Sequence, residues 1–381
     1  MKPMRVLSPT MEILAEIDDY ESLIFTRSFH EVGEFNLTIN RHKEHTDKLI
    51  KGNLIILGSD LNKVGIIKHR EIGLDESGKQ SEQWSIKGIE LKGIVGQRIT
   101  IPLIGTAYDS VEGNVESIIK HYVVKHIVNP EDGKRKMDMI DIAENLSRGA
   151  ILKWQSRFEN LSDELSAISF ASGIGWGMKI DLHQFKWILD VMEGHNLTTS
   201  QSIHPPVIFS PEFDSLKSLQ YSESDYNVRN VGYVAGEGEG FERRIISVGE
   251  TEGISRIETF IDARDVKEVD EDKQPIPEDQ IIQQLKEKGQ QNLQELIQEQ
   301  FLEGQILTHS PFKYEEDYDL GDIVTVQNKD WGVIMDARIT EITEIYEPNG
   351  FQLEATFGNT RPTLISKLKQ ELNQIGAEVR K

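Results

Sequence analysis

The stretch YDLGDIVTVQNKDWGVIMDARITEI, Tyr318 to Ile342, decides how this chain folds. Asp319-Leu320-Gly321-Asp322 reads as a turn leading into a strand, with Gly321 free to take a backbone angle that side chains resist. Asn328-Lys329-Asp330 is a tight turn. Trp331, Val333, Met335, Ala337 and Ile339 then share one strand face. After that the apolar phase slips, because Ile339, Ile342 and Ile345 fall three apart, and a slip inside a strand predicts a bulge. Pro348-Asn349-Gly350 closes the next hairpin, and Phe351, Leu353, Ala355 and Phe357 alternate back toward Gly358. These are the parts of a strongly bent sheet. The acids sit at turns or on the polar phase, and none is placed for a substrate.

Working outward, the first hundred residues also read as β. In SLIFTRSFHEVGEFNLTIN, residues 22–40, Phe35, Leu37 and Ile39 alternate with Asn36, Thr38 and Asn40. Residues 53–74 are a hairpin around Gly58-Ser59-Asp60. Residues 83–99 add strand material broken by Gly88, Gly93 and Gly96. Many short strands with glycine turns point to a barrel or sandwich. At Asp109 the period changes. Asp109 and Glu112 stand at capping-box spacing. Val115, Ile118, Ile119, Tyr122, Val123, His126 and Ile127 then fall on one helical face. Leu161, Leu165 and Ile168 mark a second helix that stops near Gly173. Trp176, Met178, Ile180 and Leu182 alternate into a turn at His183-Gln184, and Phe185, Trp187, Leu189 and Val191 alternate back. Residues 106–205 thus read as a small α+β domain.

A Pro-rich joint at 203–216 precedes renewed β character, which runs to Asp265. After a charged linker, Pro277 opens a helix with Gly304 just past its end. Ile281, Leu285, Leu293, Leu296, Ile297 and Phe301 form its stripe. Near the C-terminus, Ile365, Leu368, Leu372, Ile375 and Val379 are spaced 3, 4, 3, 4. That spacing fits a coiled-coil seam or a docked amphipathic helix. No internal repeat is legible.

The 42 basic and 64 acidic residues leave a formal charge of −22, which repels duplex DNA and anionic membranes. With no cysteine, disulfides, thiolate metal sites and cysteine nucleophiles are excluded. No apolar run is long enough to span a bilayer. The N-terminus carries acids where a signal peptide needs an apolar core, so synthesis in the cytoplasm is expected. His42 and His45 alone are too few ligands for zinc. His121 and His126 read as packed or half-buried helix residues. Ala235–Phe241, AGEGEGF, lies between strands and carries Glu237 and Glu239, so it reads as a hairpin tip rather than a phosphate loop. No nucleophile elbow or H-E-x-x-H motif is present. No catalytic, cofactor-binding or metal-ligating residue is assigned.

The block Leu320-Gly321-Asp322-Ile323-Val324, its long bulged strand and the hairpin ending Phe357-Gly358 together resemble the hub proteins of phage tails. Residues 17–40, with their aromatic strand and G-x-F-x-L strand, fit that family's opening hairpin. WSIKGIELKGIVGQRI and RIETFIDARD fit it too. The resemblance is to the short form of the baseplate-hub or siphophage tail-tip family, without a C-terminal lysin. It implies an α+β, mainly β chain with two similar β-barrel tube-type domains, α/β side domains and a helical insertion. The expected division is a first barrel over 1–105 and a side domain over 106–205. The second barrel takes 206–265 and 305–360, with a linker and helical insertion over 266–304 and a C-terminal helix over 361–381. Leu320, Gly321, Asp322, Trp331, Ile339, Ile342, Phe357 and Gly358 are the expected structural motif. Ile365, Leu368, Leu372, Ile375 and Val379 are an expected trimer seam.

The resemblance further implies a homotrimer at the distal end of a tail tube in the virion. It would meet a hexameric distal-tail or tail-tube ring, with tape-measure and receptor-binding proteins nearby, while DNA passes through without being bound. Two alternatives belong to other classes. One is a tail-associated wall hydrolase using a carboxylate pair within 106–205. The other is a carbohydrate-binding module with Trp154, Trp176 and Trp187 as stacking platforms.

Overall fold

The computed structural model describes residues 1–74, 78, 81–106, 108–269, 274–294, 296, 299–307 and 309–358. The expected trimer seam therefore lies outside the described residues. Seven strands open the chain: β1 (Met4–Leu7), β2 (Ile13–Ile17), β3 (Ser22–Ser28), β4 (Glu34–Asn40), β5 (Leu54–Leu57), β6 (Val64–Glu71) and β7 (Gln83–Glu90). The period-two reading of β4 holds, since Phe35, Leu37 and Ile39 are all buried. Gly88 does not break β7, which continues through it. All four residues of β5 are buried, because apolar cores cover both of its faces.

The middle region starts with β8 (Asp109–Asn114) and α1 (Val115–Val123). Asp109 is thus a strand residue and not the cap expected of it. Asn114 caps α1 instead, its side chain accepting from the Ser117 amide. β9 (Ile140–Ile142), β10 (Ile151–Ser156) and α2 (Leu161–Ser172) follow, then the hairpin β11 (Gly175–Asp181) and β12 (Lys186–Met192). Gly173 ends α2 at φ 71°. Trp176, Met178, Ile180, Trp187, Leu189 and Val191 are buried, whereas Leu182 and Phe185 lie outside the paired strands and are exposed.

The Pro-rich joint contains β13 (Ile208–Phe209), and β14 (Leu216–Ser224) comes next. β15 (Val231–Ala235), β16 (Ile245–Val248) and β17 (Glu258–Asp262) form a separate three-stranded sheet, on which α3 (Glu278–Gln294) packs. This segment was expected in the second barrel; among the described residues β15, β16 and β17 pair with one another and not with the large sheet. α3 also ends earlier than the apolar spacing implied. Phe301 and Gly304 belong to β18 (Glu299–Ile306), so the helical stripe ran on across a change of element. β19 (Ile323–Asn328), β20 (Val333–Glu347) and β21 (Gly350–Gly358) complete the described chain.

The fold is mainly β. Its large sheet runs β14-β18-β21-β20-β3-β4-β7-β6-β5-β1-β2, with β19 and β13 branching from β20. Among the described residues it stays open at both ends. The order hides a repeat. β3, β4, β7 and β6 lie side by side as the first, second, fourth and third strands of one block. β14, β18, β21 and β20 lie in the same arrangement in the other. Both third strands carry a register shift against their hairpin partners, at Ile67/His69 and at Ile339/Glu341. Up to Arg338, β20 pairs with β19. Past its bulge it pairs with β3 from Glu341 to Tyr346, so the two blocks become one sheet.

Candidate functional site

The joint between β20 and β3 carries a buried cluster of charged and hydroxyl side chains. On the apolar side of the sheet, β20 places Glu344 between Ile342 and Tyr346, and its side chain is 2% exposed. Lys63, 1% exposed just before β6, forms ion pairs with Glu344 and Glu315. Tyr314 donates to Glu344 at 3.0 Å, and Tyr346 also donates to it. Burial alone would raise the Glu344 carboxyl. The Lys63 ammonium, with the Tyr346 hydroxyl and Lys2, outweighs it and holds the carboxyl below its ordinary range. Beside it, Arg27 of β3 reaches Asp319 and the Tyr314 hydroxyl, both at 2.5 Å. Burial works against the guanidinium, but Tyr314 and Asp319 keep it charged. A cavity of about 320 Å³ opens over this network, with Lys2, Lys313 and Phe351 on its walls. Residues from the first block and from the 313–319 loop thus hold the two halves together through buried, mutually compensated charges.

The opposite side of the same joint is polar. Glu303, Thr356, Glu341 and Ser28 stand in one row across β18, β21, β20 and β3. In the next row Gln305, Glu354, Thr343 and Thr26 do the same, and Thr26 and Thr343 share a hydroxyl contact of 2.9 Å. Glu341 is pushed up to about 7, first by burial and then by Glu31, Glu303, Glu90 and Glu34. Glu90 is tied to the Gly33 amide at 2.7 Å and to Lys92 at 3.6 Å.

At the end of β3, Phe29 locks three parts together. A Cβ on Gly175 of the middle region, or on Gly321 of the second half, would sit 2.4 Å from its ring. Arg338 stacks over that ring at 4.8 Å and donates to the carbonyls of Gly321 and Glu193. Neighbouring His30 hydrogen-bonds Ser169 at 2.7 Å, and burial followed by Arg338 and Lys92 pushes it down to about 3.

The structure brings most of the sequence-read motif to this joint. Leu320, Ile339, Ile342 and Phe357 are buried in one core. Gly321 and Gly358 have φ of 94° and 97°. Asp322 accepts from the His195 and Asp319 amides at 2.7 and 2.8 Å. Trp331 is an exception. It lies in the turn before β20 and is 50% exposed. Ile345, which marked the phase slip but is not part of that motif, is half-buried, since past the bulge the inward residues are Ile342, Glu344 and Tyr346. Arg27, Lys63, Tyr314 and Glu344 were not picked out from sequence. The available signal was Glu344 on the inward phase of β20, readable only once the bulge is placed at Thr340.

Trp154, Trp176 and Trp187 are buried, so none offers a ring face to a sugar. Within 106–205, Glu116 is held by Lys120 and Arg148, Glu164 by Trp154 and Ser156, and Asp109 by His121, Lys125 and His126. Among the described residues no group of three or more His, Asp or Glu is arranged for a metal ion, and no helix is long and apolar enough to cross a membrane.

Residues 3–359 match the family model described as Siphovirus ReqiPepy6 Gp37-like protein. No curated protein matches. Among solved structures, the chain is similar to the 43 kDa tail protein of prophage MuSo2 from Shewanella oneidensis. That likeness has a TM-score of 0.54 at 11% identity and covers 93% of this chain and 98% of that one. It is also similar to a tail protein from Neisseria meningitidis MC58, with a TM-score of 0.52 at 12% identity over 94% and 97% of the two chains.

Proposed function

The chain belongs to the Siphovirus ReqiPepy6 Gp37-like family, a family of phage tail proteins, and on that premise we propose that it is a structural tail hub. Three copies form a ring at the distal end of a phage or prophage tail tube, join the tube to the tail tip and bound the DNA channel. The ring meets a hexameric distal-tail or tail-tube ring, with tape-measure and receptor-binding proteins as further neighbours. The chain acts by its shape, without a catalytic step.

The observation that carries this reading is the repeated four-strand block, joined edge to edge within one chain. Three chains then supply six blocks, which suits a sixfold neighbour. Each block is the inner wall of one tube-type domain, the first within 1–105 and the second built from the β strands of 206–224 and 299–358. The region 106–205 is the first side domain, and the β15–β17 sheet with α3 is the second. The seam expected from Ile365, Leu368, Leu372, Ile375 and Val379, which lies outside the described residues, is assigned to the trimer axis. The polar rows bearing Glu303, Glu341 and Glu354 face the channel, where carboxylates repel passing phosphates.

The test is mass in solution, with and without the neighbouring ring protein. A three-chain species is expected, and a strict monomer in both conditions sinks the reading. Replacing Glu303 and Glu354 with lysine in the assembled particle should slow genome ejection. Unchanged ejection removes the channel assignment.

A further inference from the structure

The cavity above the joint has chemistry that holding the two halves together does not use. Its volume is about 320 Å³, at the small end of ligand pockets. Lys2 and Lys63 reach it from the first half of the chain, and Lys313, Tyr346, Phe351 and Leu353 from the second. The Tyr346 and Phe351 rings lie 4.9 Å apart between centroids, and Phe351 is still 37% exposed. Together with Leu353 they make one wall apolar.

Three ammoniums line the same space. Lys63 is the buried one, at 1% exposure. Glu315 and Glu344 are its charge partners, and the Tyr314 ring covers it at 4.8 Å. Yet its nitrogen, which carries three N–H groups, makes no well-formed hydrogen bond among the described residues. A buried donor in that state costs free energy that an acceptor in the cavity would recover. Lys2 is 33% exposed and stands 3.9 Å from Glu344, beyond hydrogen-bond length. Lys313 is 70% exposed and meets Glu316 in a solvated pair at 3.3 Å, which holds it only weakly. The lining thus carries three positive and two negative side chains, a net +1 in a chain of −22.

We propose that this cavity binds a carboxylate carried on a short apolar body, the chemistry shared by the free C-terminus of a peptide and a small apolar acid. The carboxylate oxygens accept from Lys63 and Lys2, Lys313 closes on them from the rim, and the apolar body lies against Phe351, Tyr346 and Leu353. The net charge suits a monoanion. A dianion such as phosphate would face Glu315 and Glu344, and a cation would face three ammoniums. Lys2 and Lys63 belong to one half and the apolar wall to the other, so a bound acid bridges them and should raise the melting temperature. The site lies within one chain and does not depend on ring formation.

The full-length protein is titrated calorimetrically at neutral pH with four probes. These are N-acetyl-L-phenylalanine, its amide, and a hexapeptide ending in Leu-Phe as free acid and as amide. Saturable binding of a free acid is expected, at least about tenfold tighter than its amide, because the amide forfeits the charge-assisted hydrogen bonds. Lys2→Gln and Lys313→Gln are changes at exposed side chains. Each should weaken the acid about threefold or more while leaving the melting of the unliganded protein nearly unchanged, which shows that the variants fold. A hexapeptide acid that binds about tenfold tighter than N-acetylphenylalanine supports the site with a chain terminus as the source, and equal affinity supports it with a small acid as the source. Acid and amide binding alike, or acid binding untouched by the double Lys2→Gln, Lys313→Gln change, overturns the proposal. So does the absence of both heat and a melting shift with either acid at about 10 mM.

Discussion

Removing one partner of the buried Lys63–Glu344 pair gives the sharpest test of what joins the halves. Lys63→Met keeps most of the length of the side chain and deletes its charge. Glu344 then stays 2% exposed, with hydroxyl donors and the distant Lys2 at 3.9 Å as remaining compensation. Leaving one buried charge without its partner costs about 3–5 kcal/mol. Unfolding entropy of about 2.1 cal/mol/K per residue, over roughly 350 residues, makes 3–5 kcal/mol a fall in Tm of about 4–7 °C if the chain melts as one unit. Lys63→Met with Glu344→Leu removes both charges and should recover most of that loss.

The sign with pH follows from the same pair. In the parent, Glu344 titrates below its ordinary value, so its contribution is present at neutral pH and fades as pH falls through the lowered value. Without Lys63, burial raises the carboxyl. The variant's penalty is then largest near pH 7 and shrinks toward pH 4. Denaturant unfolding at several pH values reads this directly. A penalty under about 1 kcal/mol, or one that is flat with pH, refutes the account of the joint.

Three further outcomes are expected. Glu341 titrates near 7 in the folded chain, so the parent loses stability as pH rises through about 7; Glu341→Gln should remove that slope and stabilise by about 1–3 kcal/mol at pH 8, measured by urea unfolding. Gly321→Ala places a methyl against Phe29 at φ 94° and should cost more than about 2 kcal/mol, with a fall in soluble yield. Trp331→Ala should change stability by less than about 1 kcal/mol in the same assay, because half of the ring is already in water.

How far the sequence could be read varied with the kind of signal. The bulge was legible because Ile339 and Ile342 break a period-two pattern, and the structure has its register shift there. What came after it was misread by one residue, since Ile345 continued the spacing while Glu344 took the inward place. Asp109 has the chemistry of a cap, yet its carboxylate is consumed by His121 of α1 and by Lys125 and His126 in the turn just past it. α3 was read too long because Phe301 falls at helical spacing from Ile297 although it belongs to the next strand. The repeat escaped notice because equivalent positions share only their phase. With the two bulges superposed, Phe25 matches Tyr221 and Leu23 matches Leu219, but Asn36 matches Glu303 and Lys87 matches Thr356. Strand order across a sheet is a long-range property, and no local pattern encodes it.

Phe29 has a mechanical consequence. Its ring is wedged against backbone from the middle region and from the second half at once, with no slack on either side. A torque applied to the 106–205 region reaches the large sheet through this ring together with the shared core and the His30–Ser169 and Trp176–His30 hydrogen bonds beside it. A change of angle in that region is therefore passed to the end of β3 rather than absorbed beside it.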